Sequence, residues 1–141
     1  MSKVAVVYWS GTGNTAAMAE AVAAGAREAG AEVDMFNVGD FNEGMLGDYA
    51  AVAFGCSAQG AEVLEEYEFE PVFAECEKKL SGKSIALFGS YGWGDGEWMR
   101  SWSARCDEAG ANQVAPFVIC NEAPDDDAVA ACRALGAALA K

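Results

Sequence analysis

The sequence predicts an α/β fold, a parallel sheet of five strands covered by helices on both faces. Three observations lead there. Short apolar runs alternate along the chain with longer segments whose apolar residues recur at helical intervals. The loops that follow the apolar runs are rich in Gly, Ser, Asn or acid. A chain of 141 residues is one domain's worth, able to bury roughly two-thirds of its unfolded surface without staples. Residues 1–141 are therefore read as a single domain, with no internal repeat or linker.

The elements follow in order. Residues 4–9 are a short apolar run, hence a buried strand. Residues 15–29 carry Met18, Ala19, Val22 and Ala26 at helical intervals and close on Gly30. Residues 32–38 alternate, with Val33, Met35 and Asn37 on one side. Residues 40–47 read as a loop with at most a short helix. Residues 49–55 are a third strand, 68–80 a helix stopped by Gly82, and 83–89 a fourth strand. A helix over 97–110, a strand over 114–120 and a helix over 125–140 complete the chain, with Asp125, Asp126 and Asp127 at a helix start where carboxylates cap and suit the dipole. Trp98 and Trp102, four apart on one helix, belong to the core.

Composition removes several function classes. A net charge of −13 argues against nucleic acid and anionic membranes as partners. Histidine is absent, and the five cysteines form no CxxC pair or zinc spacing, so free thiols in a reducing cytosol are expected. The N-terminal apolar run is too short for a signal peptide or a membrane span. A cytoplasmic monomer is the expectation.

In open parallel sheets, ligands sit outside the carboxyl ends of the strands. That rule gathers the loops 10–15, 56–67, 90–96 and 121–125 on one rim. The first contains WSGTGNTA, residues 9–16, between a strand and a helix. Backbone N–H groups at a helix start, bent by Gly11 and Gly13, make an anion site, and Ser10, Thr12, Asn14 and Thr15 add side-chain donors. A tight turn with an N-cap would account for one or two of these hydroxyls, not for their density. The stretch matches GxGxxA, a weak dinucleotide signal. Four side-chain donors suit a terminal phosphate better than a pyrophosphate, however, and no GK[ST] of a phosphate-binding Walker loop is present. SYGWGDGEW (90–98) sets Tyr91 and Trp93 among glycines, offering flat faces for stacking. GCSAQGAE (55–62) supplies Ser57, Gly60 and the carboxylate of Glu62.

With SGTGNT after the first strand, GCSAQGAE after the third and SYGWGDGEW after the fourth, the chain resembles the flavodoxins, closest to the short-chain members from anaerobic bacteria, over essentially its whole length. The resemblance implies strand order 2-1-3-4-5 and non-covalent FMN as cofactor. It also implies a low-potential one-electron carrier that shuttles between semiquinone and hydroquinone with redox partner proteins, and no enzymatic activity. Residue by residue, it places Ser10, Gly11, Thr12, Gly13, Asn14, Thr15 and Ser57 on the phosphate. Trp93 lies on the outer flavin face, Gly60 in the turn beside flavin N5, and Glu62 on flavin N3–H. Ala58, Gln59, Ala61, Ser90, Tyr91, Gly92 and Gly94 complete the loops around the ring, and Asn121 reaches the ribityl chain. Gln59 stands where relatives commonly have Met, and Ala61 where they often have a polar residue.

Acids crowd the same rim: Glu62, Glu65, Glu66, Glu68 and Glu70, then Asp95 and Glu97, then Glu122 and Asp125 to Asp127. Lys3, Lys78, Lys79, Lys83 and Lys141 fall toward the opposite edge. A reduced, anionic flavin in such surroundings has a low potential, and the negative face steers basic-faced redox proteins, reductases and low-potential oxidoreductases. Three alternatives stay open. An FMN-dependent NAD(P)H reductase would need a cation for the nicotinamide nucleotide. A phosphoryl-accepting module would need acids at the end of the first strand, which reads Tyr8-Trp9-Ser10. A cofactor-free interaction module would take up no FMN.

Overall fold

The computed structural model describes residues 3–11, 13–58, 63–92 and 94–140. The strands are β1 (Lys3–Trp9), β2 (Glu32–Asn37), β3 (Ala51–Cys56), β4 (Ser84–Tyr91), β5 (Asn112–Gln113) and β6 (Val118–Asn121). The helices are α1 (Asn14–Glu28), α2 (Phe69–Glu77), α3 (Glu97–Glu108) and α4 (Asp126–Leu139). All pairings are parallel and the order is β2-β1-β3-β4-β5, with β6 also on β4.

Period-two alternation sorts the strand side chains between two cores. Ala5, Val7, Val52, Phe54, Ile85 and Leu87 face α2 and α3, where Phe69, Phe73, Trp98 and Trp102 are buried. Trp102 meets Phe69 and Phe73 edge-on, at 5.3 and 5.6 Å between ring centroids. Both tryptophans belong to the core, as their spacing indicates. Val4, Val6, Ala51, Ala53, Ala86 and Phe88 face α1 and α4. Those two helices meet at glycines: a Cβ on Gly25 would lie 2.0 Å from the Arg133 carbonyl oxygen, and one on Gly136 2.0 Å from that of Val22.

Two expectations need correction. The strand over 114–120 is two short pieces, β5 and β6. Four residues stand between Gln113 and Val118 where β4 has two between their partners Ile85 and Phe88, and one of the four, Pro116, cannot donate to a ladder. Asn37 does not share a buried side with Val33; it is exposed and its side-chain Oδ1 accepts from Gly39 N–H, starting a 3-10 turn over Val38–Asp40. The second 3-10 turn, Glu43–Asp48, is the short helix allowed for within residues 40–47, running one residue past them.

Candidate functional site

The carboxyl ends of β1, β3, β4 and β6 bring four loops together, and a hydrogen-bond network stitches them. Thr15, in the first turn of α1, is fully buried, and its Oγ1 lies 2.7 Å from Ser57 Oγ of the loop after β3. Ser90 N–H, near the end of β4, donates to the same Thr15 Oγ1 at 3.2 Å. Ser90 Oγ donates to the Glu122 carbonyl at 2.6 Å, and Ala58 N–H donates to the Ser90 carbonyl at 3.1 Å. Glu122 N–H and Asn121 Nδ2 both donate to the Tyr91 carbonyl, at 2.8 and 3.2 Å. Tyr91 packs against Trp98, its ring centroid 5.5 Å away. Of the residues singled out from sequence, the structure thus gathers Ser10, Gly11, Gly13, Asn14, Thr15, Ser57, Ala58, Ser90, Tyr91, Gly92, Gly94 and Asn121 on one rim. Thr12, Gln59, Gly60, Ala61, Glu62 and Trp93 lie outside the described residues.

The mutual bond changes how donors are counted. Thr15 and Ser57 read as two separate hydroxyls in the sequence. Folded, they share one hydrogen bond, so the pair has one hydroxyl proton left to donate outward. Ser10 Oγ accepts from Gly13 N–H at 3.1 Å, and among the described residues nothing takes its own proton. Gly13 takes φ of +95°, a conformation that costs glycine little.

The start of α1 differs from the other helix starts. Like α3 it has no side-chain cap, and unlike the other three helices it has no acid in its first turn. Asp125 caps α4 through Ala128 N–H at 2.8 Å. Glu97 occupies the first turn of α3. At α2, Glu65 Oε1 accepts from Glu68 and Phe69 N–H at 2.6 and 2.8 Å, and Oε2 accepts from Tyr67 N–H at 2.9 Å. In a chain of −13, one helix start is left free of both cap and carboxylate, with hydroxyls and a glycine around it. That donor set, dipole-positive and without an acid, fits a dianionic phosphate.

The flavodoxin family model matches residues 6–136. The chain belongs to the flavodoxin family. It is 52% identical to a flavodoxin of Clostridium beijerinckii over 122 residues, covering 86% of this chain and 88% of that one. It is 44% identical to the flavodoxin of Megasphaera elsdenii over 138 residues, 98% of each. The solution structure of that second protein in its two-electron reduced form superposes with a TM-score of 0.89, over 97% of this chain and 98% of the other. Flavodoxins are FMN-binding electron-transfer proteins, not enzymes.

Within this flavodoxin fold the acidic rim is less uniform than its sequence reads. Glu65 is buried, 7% exposed. Burial works to raise its carboxyl, and the three backbone donors outweigh that, so its pKa is lowered. Glu70 is bound by Arg105 through both oxygens, at 2.7 and 2.6 Å, and Glu77 takes Arg105 Nε at 2.9 Å. Arg100 bridges Asp95 and Glu97 at 2.9 Å each. Four of the acids expected to act as free rim charge therefore cap a helix or pair with arginine, while Glu66 and Glu122 stay exposed. Trp9, which sequence reading passed over, lies beside Gly11 and donates from Nε1 to Glu68 Oε1 at 3.3 Å. Position alone could have flagged it, as the last residue of β1. At the other sheet edge, Lys83 Nζ donates to the carbonyls of Leu46 and Tyr49.

Burial raises every thiol: Cys56, Cys76, Cys106 and Cys132 are pushed up to about 12, and Cys120 also rises. Among the described residues no group of side chains could hold a metal ion, and no helix is long and apolar enough to cross a membrane.

Proposed function

We propose that the chain is a low-potential one-electron carrier that holds FMN on this rim and exchanges electrons with basic-faced redox proteins. The observation that carries the reading is the uncapped, acid-free start of α1, where Ser10, Asn14 and the Thr15–Ser57 pair converge. FMN, when bound, supplies the one-electron chemistry. The chain holds its phosphate with α1 backbone N–H groups, the free proton of the Thr15–Ser57 pair, Ser10 and Asn14. By the family resemblance Thr12 joins them, Asn121 reaches the ribityl chain, and Gln59, Gly60, Ala61, Glu62 and Trp93 lie around the ring. The network through Ser90 keeps the loops after β3, β4 and β6 at fixed spacing, so a ring lying between them keeps one orientation. Carboxylates left unpaired, Glu66 and Glu122 among them, oppose adding the second electron and lower its potential.

An NAD(P)H reductase on this fold needs a cation for the nucleotide. Arg100, the arginine of the rim, is already held by Asp95 and Glu97. Reductases and low-potential oxidoreductases with basic faces are the partners this charge distribution fits.

The test is a fluorescence titration with FMN and riboflavin, followed by stepwise reduction of the loaded protein. Each charge-assisted hydrogen bond lost with the phosphate costs ~1.5–3 kcal/mol, so riboflavin should bind at least ~100-fold more weakly. Reduction should proceed in two separated one-electron steps, with no bleaching by NADPH alone. Equal affinities, or direct bleaching by NADPH, would overturn the reading.

A further inference from the structure

We infer that Tyr67 is a preformed docking point for an arginine side chain on the surface of a basic redox partner. The inference rests on the carrier reading above and adds a specific contact to it.

Among the described residues, two large apolar side chains are markedly exposed: Val63 at 40% and Tyr67 at 88%. Both lie in the segment that follows the 59–62 stretch and leads into α2, beside the cofactor rim. A single exposed aromatic on a surface needs no explanation. Tyr67 differs because its backbone is locked. The buried Glu65 carboxylate takes Tyr67 N–H at 2.9 Å and the next two N–H groups at 2.6 and 2.8 Å. Glu65 N–H in turn reaches Cys56 Sγ at 3.5 Å, at the end of β3. The turn is therefore anchored to the sheet, and its tyrosine projects into solvent from a fixed base.

The flanking residues decide what chemistry fits. Glu66 and Glu68 are exposed on either side, and the Glu68 carboxylate receives the Trp9 indole N–H at the end of β1. An exposed aromatic ring whose neighbours in the chain both carry carboxylates suits a guanidinium, which can stack on the ring and also pair with an acid. An ammonium does the second and gains less from the first. Tyrosine and arginine are also the residue types that most often dominate protein interfaces. A basic partner steered by the net charge of −13 can thus seat an arginine at Tyr67, close to the rim from which the electron leaves.

The test uses the FMN-loaded, isotopically labelled protein. It is titrated at low salt with acetylated penta-arginine amide and, separately, penta-lysine amide, while backbone amide shifts are followed. Shifts should centre on residues 66–68, and penta-arginine should bind about threefold more tightly than penta-lysine, the size of an exposed cation–π contact. Tyr67→Ala should remove that preference with FMN affinity unchanged, and Tyr67→Phe should keep it. Glu66→Gln with Glu68→Gln should weaken both peptides equally. Shifts centred on residues 122–127 instead, or an arginine preference that survives Tyr67→Ala, would overturn the docking and leave the carrier reading standing. A chain that takes up no FMN would overturn both.

Discussion

Replacing Glu65 with alanine removes the one carboxylate that holds the start of α2. Three hydrogen bonds go at once, to Tyr67, Glu68 and Phe69 N–H. Bonds to a charged acceptor are worth ~1.5–3 kcal/mol each, yet the three share a single group and are not additive. Tyr67 and Glu68 are exposed, so water can take over their N–H groups; Phe69 is fully buried, so its N–H stays dry and unpaired. Removing a negative charge beside Glu66 and Glu68 returns a few tenths of a kcal/mol. The loss of a cap costs ~0.5–2 kcal/mol and the orphaned N–H ~1–3, so Glu65→Ala should destabilise by about 2–4 kcal/mol. Urea unfolding at neutral pH, extrapolated linearly, measures it. Glu65→Gln keeps the shape and an acceptor oxygen without the charge, and should lose about half as much. The pH dependence has a definite sign. The folded carboxyl lies below its ordinary value, so its contribution is complete above the unfolded pKa of about 4.3 and is lost as pH falls through the lower, folded one. The gap between native protein and Glu65→Gln should hold from pH 8 to 5 and narrow as the pH falls below about 4.3. An alanine variant within 0.5 kcal/mol of the native protein, or a gap that does not narrow in acid, would refute this account.

Thr15→Val should leave Ser90 N–H buried without an acceptor, destabilise the apoprotein by ~1–3 kcal/mol and weaken FMN more than tenfold, with Thr15→Ser restoring both; urea unfolding and fluorescence titration read the two effects. Gly136→Ala gains ~1 kcal/mol of helix propensity but drives a methyl to 2.0 Å from the Val22 carbonyl, a backbone atom that cannot swing aside. Overpacking should win, for a net loss of about 1–3 kcal/mol and a lower Tm by calorimetry; a raised Tm would refute the close contact of α1 and α4. In the folded protein at pH 8, the four thiols pushed up to about 12 are almost wholly protonated and buried, so Ellman's reagent should label Cys120 well before the others, and all five at once in urea.

Periodicity was enough to read the alternation of strands and helices, because burial on a sheet repeats every two residues and on a helix every 3.6. The density of small donors in WSGTGNTA, on which the proposed phosphate loop rests, is legible because such a loop is local: its glycines, hydroxyls and helix start are neighbours in the chain. The five-stranded order agrees with the structure, while the last strand broke where Pro116 and two surplus residues met β4, a partner that lies elsewhere in the sequence. Charge was the least legible quantity. Four glutamates within residues 65–70 look alike in sequence. In the fold, Glu65 is a buried cap, Glu70 is bound by Arg105 from α3, Glu68 takes the Trp9 indole and Glu66 faces water. Likewise Thr15 and Ser57 count as two donors until folding sets them 2.7 Å apart, when they share one bond. Which neighbours are four residues away is a property of the chain; which group shields, pairs or competes with a given oxygen depends on segments brought over it from afar, and only the tertiary structure decides that.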